Sequence, residues 1–111
     1  MNMWKCSACR YVWDGDEAPD KCPKCGAPKE KFDKLSPEAA NKIERSRFTN
    51  GLHISLFSLL DTVVEIAEVG IEDELDPACV RVFELARNEA TISRQRIKAE
   101  IEGHIAKGKW G

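Results

Sequence analysis

The chain has 111 residues, 42% of them apolar and 32% charged, with a formal net charge of −2. That suits one soluble domain or a small domain with an appendage, and the near balance of charge excludes a broad positive field that would hold a polyanion. No run approaches the roughly eighteen apolar residues needed to span a bilayer, and Met1-Asn2-Met3-Trp4 lacks the basic region and apolar core of a secretion signal. The expected setting is therefore the reducing cytoplasm, with no membrane and no nucleic-acid partner. Basic residues do gather late, at Arg94, Arg96, Lys98, Lys107 and Lys109, but Glu89, Glu100 and Glu102 are interleaved with them, as on a solvated helix face.

Four of the five cysteines come first, as Cys6-x-x-Cys9 and Cys22-x-x-Cys25, with twelve residues between the pairs. Two residues between thiols is the spacing at which one tight turn aims both sulfurs at one ion. Two such turns facing each other complete a tetrahedron of thiolates. In the second turn, Pro23 presets φ, and Gly26 tolerates positive φ while its N–H approaches a sulfur. Two disulfides are the competing reading, and a chain of this length without a secretion signal seldom depends on them. The metal-ligand set is thus Cys6, Cys9, Cys22 and Cys25. Tetrahedral sulfur suits zinc as well as iron, so the donors alone leave the metal open.

Around these thiols, residues 4–5 and 11–13 read as strand pieces, with a turn from Gly15 to Pro19. Trp4, Tyr11, Trp13 and Phe32 supply the packing of a miniature core whose folding depends on the metal. The loop between the knuckles carries Asp14, Asp16, Glu17 and Asp20, which would repel phosphates.

The run Trp4-Lys5-Cys6, Cys9-x-Tyr11-Val12, Gly15, Pro19, Cys22-Pro23-x-Cys25-Gly26-Ala27-Pro28-Lys29 and Phe32 resembles the short rubredoxin-type domain of rubrerythrins. The resemblance covers residues 4–32 and implies one iron per chain held by the four cysteines, with Cys9 and Cys25 as the more exposed sulfurs through which electrons leave. It departs from the pattern at Arg10, where the first knuckle ordinarily carries Gly. A side chain there strains the turn, and its positive charge beside the thiolates is expected to raise the reduction potential.

A polar connector over residues 26–36 ends at Ser36-Pro37-Glu38, a helix start with Ser as N-cap and Pro in the first turn. The helical pattern then runs from 37 to about 69. Leu52, Leu56, Leu59, Val63 and Ile66 make one row, and Phe57, Leu60, Val64 and Ala67 a second row beside it. The apolar face is broad enough for more than one partner helix. Asn50-Gly51 marks a place where the helix is expected to kink or divide, and Gly70 is read as its C-cap. Asp76-Pro77 starts a second helix, expected from 77 to about 106, with a stripe including Cys79, Phe83, Ala90 and Ile97 and a thinner stripe at Leu85, Ile92 and Ala99. Gly108-Lys109-Trp110-Gly111 is a tail.

This pattern predicts a small metal-nucleated β ribbon of the rubredoxin-like kind over residues 1–35. An all-α antiparallel helical hairpin over residues 36–111 follows. One hairpin cannot bury two faces of this breadth, so self-association into a four-helix bundle is expected. A ferritin-like di-iron site, which the resemblance to rubrerythrins raises, needs inward Glu and Glu-x-x-His pairs. Neither His53 nor His104 follows a Glu by three, and the nearest motif is Glu65-x-x-Glu68. His53 and Cys79 are read as core residues, and His104 as a helix-end residue. The expected function is electron transfer by a mononuclear iron, with a redox protein as partner. The alternatives are a structural zinc-ribbon adaptor on a helical oligomerisation module, and a rubrerythrin- or ferritin-like oxidase or peroxidase.

Overall fold

The computed structural model describes residues 2–111, in the order β1 (Met3–Cys6), β2 (Val12–Asp14), a single 3-10 turn at Lys29–Lys31, β3 (Phe32–Lys34), α1 (Pro37–Asp73) and α2 (Pro77–Ala106). The chain divides into two compact units, Met1–Arg47 with Gly108–Gly111, and Phe48–Lys107. The division falls inside α1. No helix among the described residues is long and apolar enough to cross a membrane.

In the first unit, β1 lies between β2 and β3 in a three-stranded antiparallel sheet. Trp4 pairs with Trp13 on one side and with Lys34 on the other, and Cys6 pairs with Phe32. Alternation along the strands separates two small cores. Trp4, Cys6, Tyr11 and Trp13 face one core with buried Ala18, Cys22 and Phe32, whereas Met3 and Val12 face another with Ala40 and Ile43 from the first turns of α1. The indole of Trp4 donates to the Gly15 carbonyl at 3.1 Å, which pins the β2 end of the loop.

Arg47, near the end of this part of α1, forms a two-pronged pair with Asp14, one contact at 2.8 Å, and its Nε donates to the Gly111 carbonyl at 2.9 Å. The guanidinium holds the Asp14 carboxyl below its ordinary range. Gly111 also lies against Val12 and Ile43, where a Cβ would collide with the Val12 methyl. The tail expected after α2 is therefore packed on the ribbon unit, and Trp110 is half-buried there.

Both helix starts form as the sequence predicts. The Ser36 hydroxyl accepts from the Ala39 N–H at 3.1 Å, and the Asp76 carboxylate accepts from the Cys79 N–H at 2.7 Å with Pro77 beside it.

Three local expectations need correction. The connector contains β3, whose Asp33 and Lys34 are exposed charged residues on an edge strand. Asn50-Gly51 does not divide α1, which continues as one helix through both residues. Asn50 is buried, and its amide oxygen accepts from His104 Nδ1 on α2. Gly70 is not the C-cap either. The helix continues to Asp73, and Glu74 takes the left-handed conformation, with φ 50°, just beyond its end. Gly70 is small because the Phe83 ring of α2 lies where its Cβ would stand.

The second unit is an antiparallel helical hairpin. Val64 and Ala67 of α1 and Ala90 and Ile97 of α2 are buried, Asp61 pairs with Arg94, and Asn50 bonds to His104. Of the two apolar rows on α1, the one holding Val64 and Ala67 turns inward. The other stays in solvent, with Leu59 66% and Ile66 61% exposed.

Two consequences can be checked. Gly70→Ala should destabilise the hairpin by about 1–3 kcal/mol through overpacking against Phe83, whereas Gly51→Ala, with open space around its Cβ, should stabilise it by up to about 1 kcal/mol; denaturant unfolding followed by helical circular dichroism reads both. The Cys79 N–H holds Asp76 below the ordinary carboxylate range. Its capping contribution is therefore present above about pH 4, the unfolded value, and is lost as pH falls through the depressed native one. The melting-temperature gap between wild type and Asp76→Ala should accordingly be open at pH 7 and close on acidification.

Candidate metal centre

The sequence sets two near-identical turns opposite each other. In the first, the Cys6 N–H donates to the Tyr11 carbonyl and the Arg10 N–H to the Cys6 carbonyl, both at 2.8 Å. In the second, the Cys22 N–H donates to the Ala27 carbonyl at 2.8 Å and the Gly26 N–H to the Cys22 carbonyl at 2.9 Å. Each knuckle closes with one residue in the left-handed region, Arg10 at φ 70° and Gly26 at φ 76°. The turns are equivalent, so the same conformation is required at both positions, and only the second has the residue that adopts it without cost. The Gly26 N–H closes the turn rather than approaching a sulfur, which corrects the expected role.

These turns bring the Sγ atoms of Cys6, Cys9, Cys22 and Cys25 within 4.8 Å of one another. Cys6 and Cys25 are 3.7 Å apart and Cys9 and Cys22 3.5 Å apart. A disulfide would require about 2.05 Å. A regular tetrahedron with metal–sulfur bonds of about 2.3 Å has edges of about 3.8 Å, so the donor set fits a single four-coordinate ion. Among the described residues this is the one group of three or more Cys, His, Asp or Glu side chains whose ligand atoms converge in this way.

Each pair has one buried and one more exposed cysteine. Cys6 and Cys22 are buried, Cys9 is half-buried and Cys25 is exposed. Backbone N–H groups reach the sulfurs from Tyr11 to Cys9 and from Lys24 and Cys25 to Cys22. Without a cation the four thiols compete for one negative charge. Burial pushes the Cys22 thiol up, but the Cys25 and Lys24 N–H groups and the Cys9 thiol outweigh it and bring Cys22 to about 7. The Tyr11 N–H pulls Cys9 down, yet burial and the three neighbouring thiols push it to about 12. A divalent cation removes this competition by ligating all four as thiolates.

The other residues singled out from the sequence lie elsewhere. Glu65 and Glu68 are exposed on α1. His53 and His104 are half-buried, their rings 6.0 Å apart edge to face, and His104 sits between Asn50 and Glu100. Cys79 is half-buried at the start of α2, where the Asp76 carboxylate raises its thiol pKa and cancels the lowering expected from a helix N-terminus.

Comparison with known proteins agrees with this geometry. The family described as "Rubrerythrin, rubredoxin-like domain" matches residues 4–33. A reverse rubrerythrin-1 of Clostridium acetobutylicum is 47% identical over 38 residues, which are 34% of this chain and 21% of that protein. A rubrerythrin of Clostridium perfringens is 48% identical over 31 residues, 28% of this chain and 16% of that protein. The chain thus spans about a fifth or less of the length of these curated relatives, and no solved structure matches it. Residues 4–33 are a rubredoxin-like domain of the rubrerythrin kind, followed by two long helices. The site is a four-cysteine metal site typical of rubredoxin-like iron binding.

Arg10→Gly should relieve the left-handed strain in the first knuckle and stabilise the ribbon by about 1 kcal/mol. Denaturant unfolding of the zinc-loaded protein, followed by tryptophan fluorescence, measures this without interference from redox chemistry.

Proposed function

We propose that the protein transfers single electrons through one iron held by Cys6, Cys9, Cys22 and Cys25. The observation that carries this reading is the convergence of four sulfurs, from two buried and two more exposed cysteines, inside a segment matched by the rubredoxin-like domain of rubrerythrins. Iron in such a site supplies a one-electron ferric–ferrous couple.

The chain's own residues do the rest. Two hydrogen-bonded knuckles on a sheet hold the sulfurs in one arrangement, so little needs to move when the charge of the site changes. The N–H groups of Tyr11, Lys24 and Cys25 offset part of the negative charge on the sulfurs. Arg10 adds a positive charge close to Cys9, which favours the reduced, more negative state and raises the potential. Cys25 is exposed and Cys9 half-buried, so a redox protein partner approaches the site most closely from their side. Buried Cys6 and Cys22 anchor the ion from the core side.

The same four sulfurs also accept zinc, which would make the ribbon a purely structural part of an adaptor. Metal analysis with a visible spectrum decides between the readings, on protein produced without oxygen in iron-replete medium. The expected result is one iron per chain and a red colour that dithionite bleaches and air restores. Colourless protein carrying one zinc would overturn the electron-transfer reading. More than one iron per chain would point to a further site and to an enzyme.

A further inference from the structure

The hairpin exposes a second apolar face that carries its own register marks. On α1, Leu52, Leu56, Leu59, Val63 and Ile66 recur at steps of four and three, and all are 40–66% exposed. On α2, Val82 and Leu85 begin an equivalent row that continues through Glu89, Ile92, Arg96 and Ala99 at the same steps, all exposed. At 100° per residue, each row lies about 120° from the inward direction of its helix, set by Val64 on α1 and Ala90 on α2. The sense of rotation is the same on both helices, and the helices run antiparallel, so the two rows emerge on one side of the hairpin. A single groove lined by Leu60, Val63, Ala86, Glu89, Ala90 and Ser93 joins them there.

Two exposed charges, Glu89 and Arg96, interrupt the α2 row one heptad apart. Their midpoint is at residues 92–93. The last four positions of the α1 row, Leu56, Leu59, Val63 and Ile66, are centred on residue 61. The Asp61–Arg94 pair and the Asn50–His104 bond set residue 61 level with 93–94. The two midpoints therefore coincide to within about one residue, or about 1.5 Å of helix rise.

We propose that a second copy of this chain covers this face, related by a two-fold axis that crosses α1 at residue 61 and α2 between Ile92 and Ser93, so that each Glu89 meets the partner's Arg96. The same operation sets Leu59 against the partner's Val63, Leu56 against the partner's Ile66, and the large Leu85 against the partner's small Ala99. This is the self-complementarity that a two-fold interface demands. An axis parallel to the helices would instead set Glu89 and Arg96 against the leucine row of α1, leaving two charges buried without partners. Opposite charge at one register mark and apolar contact elsewhere select a second copy in this one arrangement.

The test is sedimentation equilibrium of the full-length, metal-loaded protein, comparing wild type, Glu89→Arg, Arg96→Glu and the double exchange, with circular dichroism to confirm helicity. Both side chains are exposed, so the hairpin tolerates their replacement. The expected result is a wild-type dimer, dissociation constants at least about tenfold weaker for either single reversal, and recovery to within about threefold of wild type in the double exchange. Ile92→Lys, which sets two like charges together at the axis, gives an independent reading and should produce monomer. A wild-type monomer at about 100 µM, where a dimer of micromolar affinity is mostly associated, would overturn the proposal and leave the face to a different protein. Single reversals without effect, or a double exchange no better than the weaker single, would overturn the proposed axis.

Discussion

The ribbon unit depends on one constraint: four sulfurs must be held within 4.8 Å of one another. Thiolates at that separation repel, and thiols there compete for protons, as the opposed shifts of Cys9 and Cys22 show. Only a cation turns the cluster from a liability into a source of folding energy. The surrounding core is correspondingly small. Cys6 and Cys22 are themselves half of its buried residues, beside Ala18 and Phe32, with Trp4, Tyr11 and Trp13 packed around the edge. So few apolar contacts do not offset the entropy of ordering three short strands. A metal bound by the four sulfurs would therefore contribute folding energy to that unit beside its second core at Met3, Ala40 and Ile43.

The sheet passes this constraint on through the alternation of β1. Trp4 and Cys6 face the metal side, while Met3 faces Ala40 and Ile43 of α1. A shift of one residue in β1 would exchange the faces and withdraw Cys6 from the cluster. The Arg47–Asp14 pair and the Arg47 bond to the Gly111 carbonyl fasten α1, β2 and the tail to one another on this second side. Ligand placement and helix attachment are thus properties of the same four-residue strand.

Much of this was legible from the residues. The Cys-x-x-Cys spacing picked out the four cysteines whose sulfurs converge, because a tight turn leaves few ways to present two sulfurs. Ser36-Pro37 and Asp76-Pro77 located both helix starts because capping chemistry is local. What was hidden depended on contacts distant in sequence. β3 reads as a polar linker because Asp33 and Lys34 lie on an exposed edge and only Phe32 is buried. Gly70 imitates a helix stop, and only the position of the Phe83 ring explains it. The choice between two equally apolar rows on α1 is likewise made by α2, which takes Val64 and Ala67 and leaves Leu59 and Ile66 exposed. Arg10 lies between these cases: the departure from Gly was visible in the sequence, but its φ of 70° shows that the turn kept its shape and placed the strain in that residue.

The most direct test of the account is X-ray absorption at the metal edge, on full-length protein from iron-replete cells kept free of oxygen. One absorbing metal, iron, is expected, with a single shell of four sulfur scatterers at about 2.3 Å. A shell mixing sulfur with nitrogen or oxygen, or metal-free protein in which Cys6, Cys9, Cys22 and Cys25 are joined as disulfides, would contradict it.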